Sequence, residues 1–385
     1  MTPFVFNTAS SLHFGAGKIT ELGEMARTQM GERVMLISDP GLSKLGIVGR
    51  VAEILEKAGI SVSVFADVQA DPPESVIEAA VAAAKELDVQ GIVGLGGGSS
   101  LDVAKLVAVL ALGQETLVEM FGVGNTKGPR LPLILVPTTS GTGSEVTMVS
   151  IVTTGKSEKM GVVSPVILPD VALLDPELTY GLPPHITAAT GIDAMVHAIE
   201  AYASVSPNNN PMSRNLACEA LRLMGRAIER AVHEGSDKDA RGDMLLGSMM
   251  AGQAFANSPV AAVHALAYPI GGHFKVPHGL SNALVLPHVL RFNAVTAPRP
   301  YAEIAPFVFP ELVEMGAQEA AAAFAEEMQE LSKRCGLQQS LFDVGIGRDD
   351  LPMMARDAMN QKRLLVNNPR KVDEAAALAI YEAAY

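Results

Sequence analysis

Apolar residues in the first half of the chain come in short runs, and between the runs they recur at helical spacing. Residues 33–39 (Arg33, Val34, Met35, Leu36, Ile37, Ser38, Asp39) form an apolar run stopped by Pro40 and Gly41, the pattern of a buried strand. Residues 60–65, 91–95 and 131–137 read as further strands, so four strands are expected. The intervening stretches 49–58, 73–87 and 101–112 space their apolar residues as a helix does, for example Val51, Ile54 and Leu55. This alternation predicts a parallel sheet with helices on its faces.

Past about residue 180 the texture changes. Residues 188–203, 213–233, 239–256, 317–335, 352–359 and 372–384 are rich in Ala, Met and Leu at helical spacing, and strand signals nearly vanish. The boundary falls in residues 178–184, which divides the chain into an α/β domain over 1–180 and an all-helical domain over 181–385. No internal repeat is evident.

Composition narrows the function. The chain has 385 residues, 48% hydrophobic and 18% charged, with a net charge of −13. An acidic protein lacks the clustered cations that bind nucleic acid or an anionic membrane, so neither is expected as a partner. Two cysteines, Cys218 and Cys335, do not make a disulfide framework, which favours a reducing cytoplasm. Residues 1–20 carry no secretory pattern. The longest apolar candidate, 103–112, contains Lys105 and is shorter than the roughly 18–20 residues of a membrane span. The high apolar content favours self-association.

Two loops carry candidate cofactor chemistry. Gly94-Leu95-Gly96-Gly97-Gly98-Ser99-Ser100-Leu101-Asp102 follows a strand and opens a helix. Glycines let backbone N–H groups approach a phosphate, and the helix N-terminus adds positive potential. The G-x-G-x-x-G frame starting at Gly94 ends on Ser99, and there is no Walker A sequence, so this is neither usual fingerprint. The second loop, Pro137-Thr138-Thr139-Ser140-Gly141-Thr142-Gly143-Ser144-Glu145, offers five hydroxyls to an anion or a ribose. Each loop alone could be an ordinary turn. Two of them after buried strands favour a nucleotide. Asp39, at a strand end, could bind an adenosine ribose and repel a 2′-phosphate, or could simply cap a turn before Pro40. Ser140 and Ser144 lie in no G-x-S-x-G elbow.

The second half carries candidate metal ligands. Asp193 and His197 are four residues apart, which on a helix puts them on one face with Cβ atoms about 5–6 Å apart. An unpaired carboxylate among apolar neighbours is costly, and no Lys or Arg lies between Tyr180 and Arg214 to rescue it. With His264 and His278 the set becomes one oxygen and three nitrogens, suited to a divalent first-row metal. A single histidine on an apolar helix is more often a core residue; four candidates together are harder to read that way. His273 is a competing ligand or an active-site base, whereas His13, His185, His233 and His288 lack such company.

These residues closely resemble the iron-containing (group III) alcohol dehydrogenase family over almost the whole chain. The resemblance rests on Phe14-Gly15-Ala16-Gly17, on Gly96-Gly97-Gly98-Ser99 with Asp102 and Lys105, and on residues 137–145. It continues through Asp175-Pro176, residues 191–197, His264, Pro277-His278-Gly279 and Asn368-Pro369-Arg370. It implies a Rossmann-like domain, a helical domain of dehydroquinate synthase-like architecture, and an active site in the cleft between them. It implies NAD as cofactor, NADP being disfavoured by Asp39, and Fe²⁺ on Asp193, His197, His264 and His278, with Zn²⁺ or another divalent metal possible. Cofactor contacts are implied at Asp39, Gly96, Gly97, Gly98, Ser99, Asp102, Thr138, Thr139, Thr142 and Lys159, with Thr147 and Leu178 as further positions. A homodimer or higher homo-oligomer is implied as well.

The chain departs from the pattern twice. Tyr268 stands where many members carry a further histidine, so Tyr268 or His273 is left as proton relay, and Asp71 stands where Asn is expected. The implied activity is interconversion of a small or medium primary alcohol and its aldehyde by hydride transfer. Phe255, Val149 and Tyr268 as candidate lining, with no Arg evidently aimed at a carboxylate, favour a neutral substrate. The alternatives are a lyase resembling dehydroquinate synthase, a reductase resembling maleylacetate reductase, and a non-catalytic nucleotide-binding protein. The full ligand set disfavours the second, and the scarcity of cations the first.

Overall fold

The computed structural model describes residues 3–155 and 158–385. The chain divides into two compact units. One comprises Asn7–Thr139 and Gly143–Thr179. The other comprises Tyr180–Tyr385 with the N-terminal residues up to Phe6 and the short stretch Ser140–Thr142.

Among the described residues the first unit has nine strands: β1 (Ser11–Phe14), β2 (Arg33–Ile37), β3 (Ser61–Phe65), β4 (Gly91–Gly96), β5 (Gly122–Val123), β6 (Leu133–Pro137), β7 (Val149–Thr154), β8 (Glu158–Val163) and β9 (Val171–Leu174). Six of them form a parallel sheet in the order β1-β9-β6-β4-β2-β3. The central strands β4, β6 and β9 are buried throughout because both faces are covered, whereas the edge strands β1 and β3 are not. Met35, Ile37, Ile92, Leu133 and Leu135 face one way and pack with the helices Glu74–Glu86 and Gly98–Leu110. Val34, Leu36, Val93, Leu95, Ile134 and Val136 face the other way and pack with Leu22, Ala26, Val51 and Leu55. The alternation follows from the two-residue period of a strand.

Two strands of this sheet were not expected. β9 is only four residues long and becomes a strand by pairing on both sides, with β1 and with β6. The antiparallel pair β7–β8, joined on its other edge by β5, makes a separate three-stranded sheet that the sequence also left unassigned. β7 is half-buried, so its apolar positions do not form a continuous run.

Order reverses at β2. The chain leaves β2 for β3 on one side and returns to β4 on the other. In open α/β sheets such a switch point opens a crevice at the carboxyl ends of the strands. Register puts Ile37 of β2 beside Gly94 of β4, and Gly96 of β4 beside Pro137 of β6. The segments after β2, β4 and β6 therefore emerge side by side.

The second unit is helical. Its centre is the helix Pro184–Ala203, buried without interruption from Gly191 to Ala203. The helices Pro211–His233, Lys238–Asn257 and His278–Ala294 share one apolar core with it. Three of the longer helices had no clear signal in the sequence: Ala262–Phe274, His278–Ala294 and Pro298–Val308. Each contains an internal proline, at 269, 287 and 306, which weakens a local helical reading that tertiary packing overrides. Gly279 permits the close approach of the helix His278–Ala294 to Pro184–Ala203, because a Cβ there would collide with the Ala189 carbonyl. Among the described residues no helix is long and apolar enough to cross a membrane.

Gly94 sets how closely the helix Gly98–Leu110 lies on the sheet. A Cβ there would come within 2.7 Å of both Ala104 Cβ and Leu135 Cδ2. Gly94→Val is expected to destabilise the protein by about 1–3 kcal/mol through overpacking. Chemical denaturation read by tryptophan-free far-UV dichroism checks this; an unchanged midpoint would show that the helix can retreat at no cost.

Candidate metal and nucleotide sites

In the helical unit, Asp193, His264 and His278 each present a ligand atom, and these atoms lie within 4.8 Å of one another. They come from three helices: Asp193 from Pro184–Ala203, His264 from Ala262–Phe274, and His278 from the first position of His278–Ala294. Asp193 Oδ1 is 3.8 Å from His278 Nε2 and 4.0 Å from His264 Nε2. Asp193 and His264 are buried, whereas the His278 side chain is 40% exposed and opens the group to solvent.

His197 lies against this trio, its ring centroid 4.7 Å from that of His264, and it stacks on Phe255 at 4.3 Å. Its buried Nδ1 has no hydrogen-bond partner. Burial pushes the imidazole down to about 3, with His264 and His278 adding to the effect and Asp193 opposing it. A neutral imidazole is the form that ligates metal. Burial drives the Asp193 carboxyl up, but the histidine charges and the Asn282 amide outweigh it and hold the group below its usual range.

Asn282 shows where the lone pairs point. Its Nδ2 donates to Asp193 Oδ1 at 2.6 Å and lies 3.3 Å from both His264 Nε2 and His278 Nε2. Three acceptor atoms thus converge on one donor, and a buried imidazole nitrogen beside them is unsatisfied. The Asp193 oxygen and the His264 and His278 nitrogens so arranged fit a divalent cation, and His197 packs against them without a ligand atom in the same group.

The expected relay residues separate. Tyr268 lies one helical turn beyond His264, with its ring 6.1 Å from that of His278. His273 is nine residues from His264, about half a turn round the helix. Its Nε2 pairs instead with Asp357 Oδ2 at 2.8 Å on the opposite face.

In the α/β unit, Asp39, the glycines 96–98 with Ser99, and Thr138 and Thr139 lie at the carboxyl ends of β2, β4 and β6, whereas Lys159 and Leu178 lie elsewhere in the unit. Gly96 has φ +148°, and a Cβ there would meet Ser100 Oγ at 2.7 Å and Asp39 Oδ2 at 3.3 Å. Gly97 caps the helix that begins at Gly98, and its missing Cβ would lie 3.6 Å from Thr139. The Thr138 amide donates to the Gly96 carbonyl, which ties the two loops together. Ser99 Oγ accepts from the Asp71 amide at 3.3 Å. Asp39 Oδ1 caps the helix Pro40–Lys44 by accepting from Gly41 and Leu42, so one oxygen does the local work and the other faces Gly96.

Other positions are structural as well. Asp102 accepts from Ser144 Oγ at 2.6 Å and from the Ile151 amide at 2.9 Å. Lys105, fully buried, donates to Ser144 Oγ, to Thr147 Oγ1 and to the Val149 carbonyl. This network fixes the loop after β6 onto the helix of the glycine loop. Lys159 pairs with Asp71 Oδ1 at 2.7 Å and donates to Thr153 Oγ1. Leu178 lies in the apolar cluster with Ile19 and Leu173, and Thr142 belongs with the helical unit.

Two residues of the metal-type group were missed in the sequence. Asn282 is four residues after His278, a helical spacing that could have found it. Glu200 accepts from His264 Nδ1 at 2.6 Å. It is seven residues after Asp193 on the same helix, so the same periodicity marks it.

Known proteins resemble this chain over its whole length. Residues 9–176 match the family described as iron-containing alcohol dehydrogenase, and residues 187–385 match the C-terminal part of the Fe-containing alcohol dehydrogenase family. Long-chain-alcohol dehydrogenase 1 of Geobacillus thermodenitrificans (strain NG80-2) is 42% identical over 97% of this chain and 94% of its own. A crystal structure of 1,3-propanediol oxidoreductase superposes with a TM-score of 0.95 at 34% identity, covering 100% of both chains. Sulfoacetaldehyde reductase from Bifidobacterium kashiwanohense, solved in complex with NAD⁺, gives 0.88 at 28% identity, covering 100% of this chain and 99% of that one.

Glu145, buried beside the Lys105 network, gives a pH signature. Burial pushes its carboxyl up from 4.5 to about 7, against its own backbone amide and Lys105. The folded state then holds a proton that the unfolded chain releases. The stability gained is full below about pH 4.5 and is lost as pH rises through 7. Urea midpoints at pH 5 and pH 8 should fall further for the parent than for Glu145→Gln. Equal falls would show that the folded protein carries Glu145 ionised.

Proposed function

The chain belongs to the iron-containing alcohol dehydrogenase family, and from that premise we propose that it interconverts small or medium aliphatic primary alcohols and their aldehydes. It is an NAD-linked, metal-dependent oxidoreductase. The observation that carries the reading is the buried convergence of Asp193, His264 and His278 beside the unsatisfied His197 Nδ1. In this reading those four residues hold the metal, Fe²⁺ or another divalent ion. When bound, the metal offers a Lewis acid to the substrate oxygen and the nicotinamide exchanges the hydride.

The chain's own residues orient and exclude. Phe255 and Tyr268 pack with Val260, Leu364 and Leu365 in an apolar cluster beside the ligand group. Such a wall suits an alkyl chain and keeps water away. The Tyr268 hydroxyl is the proposed relay for the alcohol proton, being nearer the ligand group than the Asp357-paired His273. Gly97, Gly98 and Ser99 would hold the pyrophosphate at the N-terminus of the helix they open. Asp39, Asp102, Thr138, Thr139, Thr142, Thr147, Lys159 and Leu178 complete the proposed cofactor set, through contact or support. We also propose a cytoplasmic homodimer. Both cysteines are unpaired, and edge strand β1 exposes Leu12 and Phe14, which a second copy could cover.

His264→Ala should abolish aldehyde reduction while NADH still binds with parental affinity, read by NADH fluorescence. Stripping the parent of metal anaerobically should likewise stop NADH oxidation with short aldehydes, and added Fe²⁺ should restore it. Turnover that ignores both changes would remove the metal from the reaction.

Asp71 bears on cofactor choice. Its backbone has φ +52°, its amide touches Ser99, and its carboxylate occupies Lys159. Asp71→Asn removes a negative charge from beside the glycine loop and releases a cation. The ratio of kcat/KM for NADP over NAD should rise roughly tenfold, equivalent to about 1.4 kcal/mol. An unchanged ratio would place Asp71 outside the recognition of the cofactor.

A further inference from the structure

The strongest unassigned group in the helical unit is the buried carboxylate of Glu200. It is 5% exposed and lies on the helix that carries Asp193 and His197. Both of its oxygens are committed. Oε1 accepts from the Val263 amide at 2.7 Å and Oε2 pairs with His264 Nδ1 at 2.6 Å. On its far side is a small cavity lined also by Ile199, Val263, Asn293, Tyr301 and Asn368. That wall is itself tied together, because the Asn293 amide donates to Tyr301 Oη at 2.8 Å and to Asn368 Oδ1 at 3.0 Å. The carboxylate is therefore held in one orientation.

An imidazole has one N–H and one lone pair when neutral, and its partners decide which nitrogen carries which. Glu200 can only accept, so His264 Nδ1 must donate. The Asn282 amide nitrogen, a donor 3.3 Å from His264 Nε2, is compatible with that nitrogen accepting.

We propose that Glu200 is the positioning residue for His264. It fixes the tautomer and the ring orientation that aim the Nε2 lone pair at the point shared with Asp193 and His278. The inference rests on the reading of those residues as metal ligands. A carboxylate behind a ligating histidine is a general device for this purpose. Glu200 touches no reacting atom in this account and acts through His264.

Glu200→Gln tests it with little change of volume. Its oxygen can still accept from Val263, but its amide then donates to His264 Nδ1 and drives the proton to Nε2, removing the ligating lone pair. The parent is measured first. Stoichiometric Zn²⁺ binding by chelator competition, lost in His264→Ala, establishes the metal reading; absence of binding in the parent would defeat that reading and this inference with it. Given binding by the parent, Glu200→Gln should weaken it about 10–100-fold while NADH affinity is unchanged. Parental Zn²⁺ affinity in Glu200→Gln would overturn the assignment and leave the metal reading standing. A ¹⁵N-histidine spectrum of the metal-free parent keeps the test open if that variant does not fold. The proton on His264 Nδ1 supports the proposal, and the proton on Nε2 overturns it.

Discussion

Burying the Asp193 carboxylate is the constraint on which the helical unit is organised. Removing an ion from water costs several kcal/mol even after relaxation, and an apolar helix offers it nothing in return. The helix from Gly191 to Ala203 is buried without a break, so Asp193 cannot reach solvent. Its partners must come from elsewhere, and they do: His264, His278 and Asn282 arrive from two other helices. Gly279 lets one of those helices close up against the Ala189 carbonyl. The same demand for partners repeats one layer out, where Glu200 is satisfied by His264 and by the Val263 amide. Polar groups this deep are tolerated only when nearly all are matched, which makes the unmatched His197 Nδ1 informative.

The α/β unit solves a different problem, the exposure of backbone N–H groups on a rigid base. The sheet is covered on both faces, and its order reverses at β2. Loops after β2, β4 and β6 gather at that reversal. Rigidity there does not come from the glycines, which loosen a chain. It comes from buried Lys105 and part-buried Asp102, whose side chains cross from the glycine-loop helix to Ser144, Thr147 and Ile151. A loop with no Cβ at Gly96 and Gly97 can then be both open to a phosphate and fixed in place.

Membership of the iron-containing alcohol dehydrogenase family gives these two observations one reaction class, in which a dinucleotide carries the hydride and a metal can serve as the Lewis acid. Relatives of this chain carry different substrate names, from long-chain alcohol to sulfoacetaldehyde. Chemistry is thus common to the family and selection of the alcohol is local. In this chain the local features are an apolar cluster around Phe255 and Tyr268, and the Tyr268 ring 6.1 Å from that of His278.

The sequence by itself determined what depends on short-range periodicity. Four strands, three of them largely buried, the helices between them and the change of texture near residue 180 are written in apolar spacing, which burial on two faces or one stripe enforces. Asp193 and His197 share a helix face by spacing alone, and the glycine loop announces itself by lacking side chains. Tertiary structure decided everything that depends on pairing between distant segments. β9 is a strand because β1 and β6 flank it, and the helix Ala262–Phe274 persists through Pro269 because its neighbours bury it. His273 looked like a companion of His264 in sequence, yet the helix turns it toward Asp357. Glu200 and Asn282 became part of the group only when three helices brought His264 and His278 to them. The physical reason is one of range. Backbone periodicity is set by neighbours a few residues away, whereas a buried charge takes its partners from wherever the fold delivers them.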